Sequence, residues 1–516
     1  MTTATARLDA PRDLLVIGGG VNGCGIARDA VGRGLSVTLC EQNDLAQATS
    51  SASTKLFHGG LRYLEYYEFR LVRESLIERE TLLKAMPHIA WPLRFVLPHH
   101  KGLRSAWLLR LGLFIYDNLG GRKILPPTKT LKLRSDPTGA PLKDAFEKGF
   151  EYSDCWVQDS QLVVLNARDA ADRGAEILPR TRFAKAHRAD GLWHVTLEDT
   201  ETGATREITA RALVNAGGPW VDRIIKGIGV ETQDRIRLVR GSHIVVRQVF
   251  EHDRAYIFQN ADKRIIFAIP YENDFTLIGT TDQEHTGKPS EVVCTPEEAA
   301  YLCAAASEYF AQPITTDDIV HTYSGVRPLY DDGAKSATAA TRDYVLKVED
   351  DGSEGGGKAP LLNIFGGKIT TFRRLAESAM DQLKPYFPAM GASWTAGPAL
   401  PGGDFPHDGV PALTADLCAA YPFLDEPKAL RLARGYGTQA REILGNATAP
   451  ADLGEDFGAG LTEAEVRFLM REQWARTAED VLWRRSKLGL RLDKAQTARL
   501  DAFMAAARSA TKAAAE

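Results

Sequence analysis

A glycine-rich segment near the N-terminus constrains the fold of this chain more than any other feature. An apolar run leads directly into Gly18-x-Gly20-x-x-Gly23, and the residues that follow have the pattern of a helix. A second apolar run then ends in Glu41, close to the spacing of about 20 residues at which such folds place an acid. This order of strand, glycine turn, helix, strand and acid predicts a domain that binds an adenine dinucleotide.

The glycines and the acid have separate roles in that prediction. Gly18 permits the tight turn, Gly20 lets the backbone approach the pyrophosphate, and Gly23 lets the helix pack closely on the strand. The helix N-terminus offers free N–H groups and a positive dipole end to the phosphates. Glu41 accepts hydrogen bonds from ribose hydroxyls and repels a 2′-phosphate, which disfavours NADP. The fingerprint alone leaves both NAD and FAD open.

Composition narrows the class of protein. The chain has 516 residues, enough for two or three domains, and its 44% hydrophobic and 25% charged residues are ordinary for a globular protein. The formal net charge of -4 gives no basic field, so we expect no nucleic-acid partner. Six scattered cysteines without a C-x-x-C pair predict no metal site and a reducing compartment. The N-terminus lacks a signal-peptide pattern. The sequence has no uninterrupted run of about 18 apolar residues, so we expect no transmembrane helix.

The order of patterns along the chain predicts an α/β fold with an inserted sheet. Beyond the fingerprint, a helical pattern and a β-rich stretch lead to a strand that ends at Gly217. Period-two alternation then predicts an antiparallel sheet at about residues 238–330, inserted between segments of the Rossmann-type nucleotide-binding domain. A further strand and helix follow, with the turn Gly366-Gly367 between them.

The last quarter of the chain has a different composition. The stretch from 390 to 406 is rich in glycine and proline and predicts a linker. The residues after it are rich in Ala, Leu, Glu and Arg, which predicts a C-terminal all-α domain. We therefore divide the chain into residues 1–390, a nucleotide-binding domain with an interleaved substrate domain, and residues 391–516, a helical domain.

Six segments, spread over nearly the whole chain, together resemble the FAD-dependent glycerol-3-phosphate dehydrogenases, which are amino-acid-oxidase-like flavoproteins. The segments are residues 16–23, 50–65, 213–220, 241–243, 324–329 and 366–371. The stretch 474–485 is also similar to the helical cap of that family. The segment 50–65, with its Ser, His, Gly and Arg residues, is much more specific than the glycine fingerprint.

The resemblance implies FAD, bound without a covalent link, and the oxidation of sn-glycerol 3-phosphate to dihydroxyacetone phosphate in glycerol metabolism. It also implies electron transfer to membrane quinone (ubiquinone or menaquinone), a homodimer, and a cytoplasmic protein attached peripherally to the inner face of the cell membrane. The cofactor-binding residues that it implies include the fingerprint: Gly18, Gly20, Gly23, Glu41, Ser50, Ser53, Lys55, Gly217, Gly367 and Thr370.

A phosphorylated polyol needs cations for its phosphate, and three cations match the family's substrate-contacting positions. Arg62, Arg327 and Lys368 each stand in a Gly-flanked, strand-end or loop context, where ligand-binding side chains tend to lie. Arginine grips phosphate with two hydrogen bonds, and lysine acts as a point charge. Tyr63 either adds a hydroxyl contact or simply packs. Beside the flavin, Lys368 or the helix N-terminus after Gly367 would stabilise the reduced anion.

The oxidation also needs a proton acceptor, and His243 is the residue that we favour. Histidine accepts protons near neutral pH, and His243 starts an apolar strand after Gly241-Ser242. In another arrangement Arg327 or Lys368 stabilises the developing alkoxide and the base lies elsewhere. His58 has the same ambiguity. We therefore name His243, Arg327 and Lys368 as the catalytic residues.

A reductant of quinone must touch the bilayer, and residues 91–125 are the segment most suited to that contact. A short apolar stretch that contains Trp107 and Tyr116 is flanked there by cations. This pattern fits an interfacial element, but it fits a buried core helix with surface charges equally well.

Three other functions remain open from the sequence. An oxidase would pass the electrons to oxygen and release peroxide. An amine or amino-acid oxidase on the same fold is disfavoured by the phosphate-suited cations. A flavoprotein that acts only as a scaffold or redox sensor is disfavoured by the presence of a base beside them.

Overall fold

The apolar run before the glycine fingerprint forms the centre of a parallel sheet in a computed structural model of the chain. The model describes residues 10–230, 232–262, 264–331, 333, 343–350 and 359–515. Residues 1–9, where no signal peptide is predicted, lie outside this range. In the central strand, the residues from Leu14 to Ile17 are all buried, as expected where helices cover both faces.

The first sheet carries the nucleotide-binding domain. Parallel strands lie in the order β18-β10-β1-β2-β7, β17 joins one edge in the antiparallel direction, and the hairpin β8–β9 extends from β10. The strands are β1 (Arg12–Ile17), β2 (Val37–Cys40), β7 (Glu176–Leu178), β8 (Thr181–Ala189), β9 (Leu192–Asp199), β10 (Thr205–Asn215), β17 (Val345–Glu349) and β18 (Leu361–Phe365).

The second sheet is the inserted one, and its path is β15-β11-β14-β13-β12-β4-β6-β3, with β16 paired to β11 and β5 to β6. Its strands are β3 (Leu56–Phe57), β4 (Ala90–His99), β5 (Lys129–Lys132), β6 (Lys148–Val157), β11 (Ile236–Arg247), β12 (Ala255–Gln259), β13 (Ile265–Tyr271), β14 (Phe275–Gly279), β15 (Gln283–Glu284) and β16 (Ile319–Tyr330). The sheet predicted at about residues 238–330 is thus only part of the observed one, because β3–β6 join it from an earlier stretch of the chain.

Helices cover both sheets and form the C-terminal domain. They are α1 (Val21–Gly32), α2 (Phe69–Ala85), α3 (Ala106–Leu119), α4 (Asp159–Asp172), α5 (Val221–Ile228), α6 (Pro296–Ser307), α7 (Phe372–Leu383), α8 (Val410–Ala420), α9 (Glu426–Tyr436), α10 (Ala440–Leu444), α11 (Glu463–Glu472) and α12 (Lys494–Ala515). Apolar side chains of α1, α4 and α7 share one core with the first sheet. Helices α8–α12 have a core of their own, as the predicted fold class requires. Within the described ranges, no helix is both long and apolar enough to span a membrane.

Candidate active site

The fingerprint glycines stand where a larger residue would collide with backbone. Gly18 has φ +114°, and a Cβ placed on it would lie 2.5 Å from the carbonyl oxygen of Ala216 in the turn after β10. A Cβ on Gly23 would lie 1.9 Å from the carbonyl oxygen of Gly18. The strand, the turn and α1 therefore approach one another as closely as a phosphate-binding turn requires.

A cavity of about 360 Å³ begins at this turn, at the carboxyl ends of β1, β2 and β10. Glu41 lies in its wall, where its Oε2 accepts a hydrogen bond from Gly19 N at 2.7 Å and its Oε1 accepts one from Asn43 N at 2.8 Å. Burial raises the pKa of Glu41. Asn22 Oδ1 is buried in the same wall without a hydrogen-bond partner among the described residues. The glycine cradle, the acid and this orphaned acceptor fit an adenine dinucleotide such as FAD.

The predicted cofactor residues beyond the fingerprint divide into two groups. Five of them line the first cavity or a second cavity that adjoins it: Gly217 lines the first, Ser53 and Thr370 line the second, and Ser50 and Gly367 line both. Ser50 Oγ also accepts a hydrogen bond from Val21 N at 3.0 Å. Lys55 is placed elsewhere.

The side chain of Lys55 is buried in an ion pair rather than turned toward either cavity. Its Nζ lies 2.9 Å from Asp159 Oδ2, and Ser53 Oγ donates to the same carboxylate at 2.7 Å. Among the described residues that line the two cavities, Lys55 is missing. Its contact with Asp159 holds the 50–55 segment in shape, and the binding of the cofactor by Lys55 stays a prediction.

A second cavity, of about 330 Å³, adjoins the first at Ser50, Gly366 and Gly367. Residues that are far apart in sequence meet in its walls. The predicted substrate and catalytic residues all lie there: Arg62, Tyr63, His243, Arg327 and Lys368. A ligand in the second cavity would therefore lie beside the inner end of a cofactor in the first.

His243 lies on β11, between Gly279 of β14 and Tyr323 of β16. Its ring stacks on Tyr323 with centroids 4.7 Å apart, and its Nε2 lies 3.0 Å from Thr54 Oγ1. The other ring nitrogen, Nδ1, is buried without a hydrogen-bond partner in the described part of the chain. Burial, and then the charges of Lys55 and Arg327, lower the pKa of His243 well below its usual range. The imidazole is therefore neutral near pH 7 and able to accept a proton.

The three cations of the cavity are held in different ways. Arg327 donates to Asp282, and its Nη2 donates to Thr280 Oγ1 at 2.7 Å. Lys368 Nζ lies 3.9 Å from the centre of the Tyr63 ring, a cation–π contact. Arg62 Nη2 is 3.5 Å from the hydroxyl of Tyr66.

Sequence reasoning missed three residues of this site, namely Thr54, Asp282 and Tyr323. Thr54 lies inside the segment 50–65 that carries the family resemblance, so its neighbours in sequence already indicated a functional segment. Asp282 follows the strand β14 at the edge of the cavity, which is a weak signal in a chain with 67 acidic residues. Tyr323 is recognised only through strand pairing, because its ring meets His243 across β11 and β16.

An exposed apolar surface lies beside the cavity. Trp107 and Phe114 of α3 are 70% and 58% exposed, so the interpretation of α3 as a buried core helix is wrong for these side chains. The turn that carries Arg62 and Tyr63 packs beside α3, where Glu65 and Arg104 form an ion pair at 3.3 Å. We call the exposed apolar residues of this turn, of the start of α2 and of α3 the apolar patch: Tyr66, Tyr67, Phe69, Trp107, Leu111 and Phe114.

Comparisons with known proteins agree with this architecture. The family described as FAD dependent oxidoreductase matches residues 13–355, and the C-terminal domain of alpha-glycerophosphate oxidase matches residues 393–513. The chain is 52% identical to a glycerol-3-phosphate dehydrogenase of Pseudomonas aeruginosa, covering 97% of this chain and 96% of that protein. It is also 52% identical to a D-erythritol 1-phosphate dehydrogenase of Brucella abortus, covering 94% and 96%.

A solved structure is similar over most of its length. The glycerol-3-phosphate dehydrogenase from Bacillus halodurans, complexed with FAD, has a TM-score of 0.74 and 27% sequence identity, and the match covers 93% of this chain and 86% of that one.

Proposed function

This chain belongs to the FAD-dependent oxidoreductase family and carries the C-terminal domain of the alpha-glycerophosphate oxidase type, and from that membership we propose that it oxidises sn-glycerol 3-phosphate to dihydroxyacetone phosphate. The observation that carries the proposal is the meeting of three cations and a neutral histidine in the cavity that adjoins the dinucleotide site. Two of the similar proteins are named for the oxidation of polyol phosphates.

The residues of the second cavity divide the work of the reaction. When bound in the first cavity, FAD supplies the acceptor for the hydride that leaves the carbon being oxidised. Arg62 and Lys368 bind the phosphate, and Arg327, fixed by Asp282 and Thr280, orients the polyol or stabilises its developing alkoxide. His243, whose Nε2 lies 3.0 Å from Thr54 Oγ1 in the wall of the same cavity, takes the hydroxyl proton.

We expect anaerobic addition of glycerol 3-phosphate to bleach the flavin absorbance of the purified holoenzyme, because the hydride passes to the bound cofactor. The measurement is the visible spectrum during titration, and glycerol without phosphate is the control that removes the anion. D-erythritol 1-phosphate, tested beside it, separates three-carbon from four-carbon substrates through the ratio of kcat/KM. A spectrum that glycerol 3-phosphate leaves unchanged would contradict the proposal.

The electron acceptor is the second part of the proposal. We propose that the reduced enzyme passes its electrons to membrane quinone, with the apolar patch resting on the bilayer surface. The position of the patch beside the turn that carries Arg62 and Tyr63 supports this, since a lipid-soluble acceptor would then arrive near the cavity. Slow reoxidation by air and fast reoxidation by a quinone would favour the dehydrogenase over a peroxide-producing oxidase. The homodimer and the inner face of the cell membrane stay predictions.

Replacing Trp107 and Phe114 together by glutamine is expected to weaken binding to anionic lipid vesicles at least about 10-fold, because two large apolar side chains then lose their burial in the interface. Co-sedimentation with vesicles measures the effect. Val293→Gln is the matched control, since Val293 is 63% exposed but lies outside the apolar patch. Equal sedimentation of the double variant and the wild type would remove α3 from the membrane proposal.

A further inference from the structure

Two arginines of the C-terminal domain converge on one carboxylate of the nucleotide-binding domain. Arg485 grips Asp44 with two hydrogen bonds, Nη1 to Oδ2 at 2.8 Å and Nη2 to Oδ1 at 2.7 Å, and Arg484 Nε lies 2.6 Å from Oδ2. The side chains of Asp44 and Arg485 are completely buried. Fork-to-fork pairing of this kind fixes direction as well as distance.

Asp44 belongs to the loop that shapes one wall of the first cavity. This loop leaves β2 at Glu41, and Glu41 is bound both to Gly19 of the fingerprint and to Asn43, the residue before Asp44. The position of Asp44 is therefore coupled through two residues to the carboxylate that we expect to meet the ribose.

The neighbouring stretch of the same wall, hydrogen-bonded to this loop through Thr181 N and Glu41 O at 2.7 Å, is tied to the same C-terminal segment. Asp480 accepts hydrogen bonds from Arg180 Nη2 at 2.6 Å and from Arg484 Nη2 at 2.5 Å. Arg180 stands directly before Thr181, where β8 begins to line the cavity, and its backbone N donates to Asn43 O at 2.8 Å. Although burial raises the pKa of Asp480, the charges of Arg180 and Arg484 lower it to about 2, so the carboxylate stays ionised.

We propose that the segment Asp480–Arg485 is a positioning element for the cofactor, which holds the two adjoining stretches, residues 41–43 and 181–184, that line the adenosine end of the dinucleotide site. Its six residues form a turn of π-helix, a distortion that often marks functional positions. Arg484 bridges Asp44, which follows the first stretch, to Asp480, which binds Arg180 just before the second. The C-terminal domain thus contributes to FAD affinity without touching FAD. This inference rests on FAD binding and not on which polyol phosphate is oxidised.

The alternative is that these ion pairs only fasten two domains together, and a second buried pair provides the comparison. Arg431 also grips a buried carboxylate with two hydrogen bonds, to Glu465 at 2.6 and 2.7 Å, but both residues lie inside the C-terminal domain. Arg431 does not line the first cavity among the described residues. Loss of either pair costs folding stability, whereas only loss of the Arg485 pair should change the cofactor site.

The test compares Arg485→Met with Arg431→Met. After removal of FAD from the holoenzyme, the dissociation constant of FAD is measured by fluorescence titration, and the melting temperature is measured with and without FAD. We expect Arg485→Met to bind FAD about 10- to 100-fold more weakly, with a smaller rise in melting temperature on adding FAD, whereas Arg431→Met keeps the wild-type dissociation constant within about 2-fold. Arg485→Lys, which keeps the charge but loses the fork, should fall between Arg485→Met and the wild type.

Two results would overturn the proposal. One is a wild-type dissociation constant of FAD in both Arg485→Met and Arg485→Lys. The other is an equal weakening in Arg431→Met, which would make the effect one of general stability. If Arg485→Met does not fold, Arg485→Lys decides alone. Failure of glycerol 3-phosphate to reduce the flavin would leave this comparison of FAD affinities unaffected.

Discussion

His243→Ala is expected to slow the reduction of bound flavin by glycerol 3-phosphate by about 100- to 10,000-fold, because the variant lacks the base that takes the hydroxyl proton as the hydride leaves. The apparent dissociation constant of the substrate should change little, since Arg62, Arg327 and Lys368 remain in the cavity. Stopped-flow measurement of the reduction rate against substrate concentration separates the two constants.

The matched control for His243 is a second histidine of the same sheet. His321 lies on β16 and lines a different cavity, and its ring stacks on that of Trp483 with centroids 4.0 Å apart. Glycerol 3-phosphate should therefore reduce the flavin of His321→Ala at nearly the wild-type rate. If His58→Asn loses flavin reduction while His243→Ala keeps it, then His58 and not His243 is the base.

The pH dependence of the same rate gives a further check on His243. Burial and the nearby charges of Lys55 and Arg327 lower the pKa of this group below 6.5, so it binds a proton only in more acidic solution. The reduction rate of the wild type should therefore stay level as the pH falls from 8 to 6.5, and it should decline only below that range.

The nucleotide-binding unit could be predicted because its determinants are contiguous. Gly18, Gly20, Gly23 and Glu41 lie in one β-α-β unit, so their spacing in sequence fixes their spacing in the fold. The same holds for the strand and turn before Gly367. The extent of the inserted sheet was underestimated, because β4 reaches it through parallel pairing with β12, far along the chain, and no local pattern records that partner.

Ionic partners explain most of what the sequence did not reveal about the site. The ion pair between Lys55 and Asp159 could not be predicted, because a charge in a sequence does not show which opposite charge will be buried beside it. The pairing of Asp282 with Arg327 could not be predicted for the same reason, because the two residues meet only in the folded chain. The convergence of Arg62, Arg327 and Lys368 was expected through the family resemblance, since a helical turn, the strand β16 and the turn after β18 carry them in three distant parts of the chain.

The apolar patch shows a second kind of limit. The pattern of α3 is amphipathic, and such a pattern states that one face is apolar without stating what covers it. In the fold, Leu113 and Tyr116 are the buried apolar side chains of this stretch, while Trp107, Leu111 and Phe114 face outward. Which face is buried depends on where α2 lies, and that is a property of tertiary packing.

Gly23→Ala is expected to have the largest effect on the cofactor domain. An added Cβ would stand 1.9 Å from the carbonyl oxygen of Gly18, closer than any non-bonded contact allows, and the atom that it meets is backbone and cannot rotate away. The start of α1 must then move away from β1, and the phosphate-binding turn opens with it. We expect a loss of about 1–3 kcal/mol or more of folding free energy and protein that purifies without bound flavin.

A helical glycine with free space around it provides the control for this prediction. Apart from the backbone of its own helix, no heavy atom of the described residues lies within 4 Å of the position that a Cβ on Gly112 of α3 would take. Gly112→Ala should therefore keep its flavin and melt at or slightly above the wild-type temperature, because helix propensity favours alanine. Flavin content from the visible spectrum and the melting temperature measure both variants. A Gly23→Ala protein with full flavin content would mean that α1 can shift against β1 without opening the turn, and the steric basis of the fingerprint would then fail in this chain.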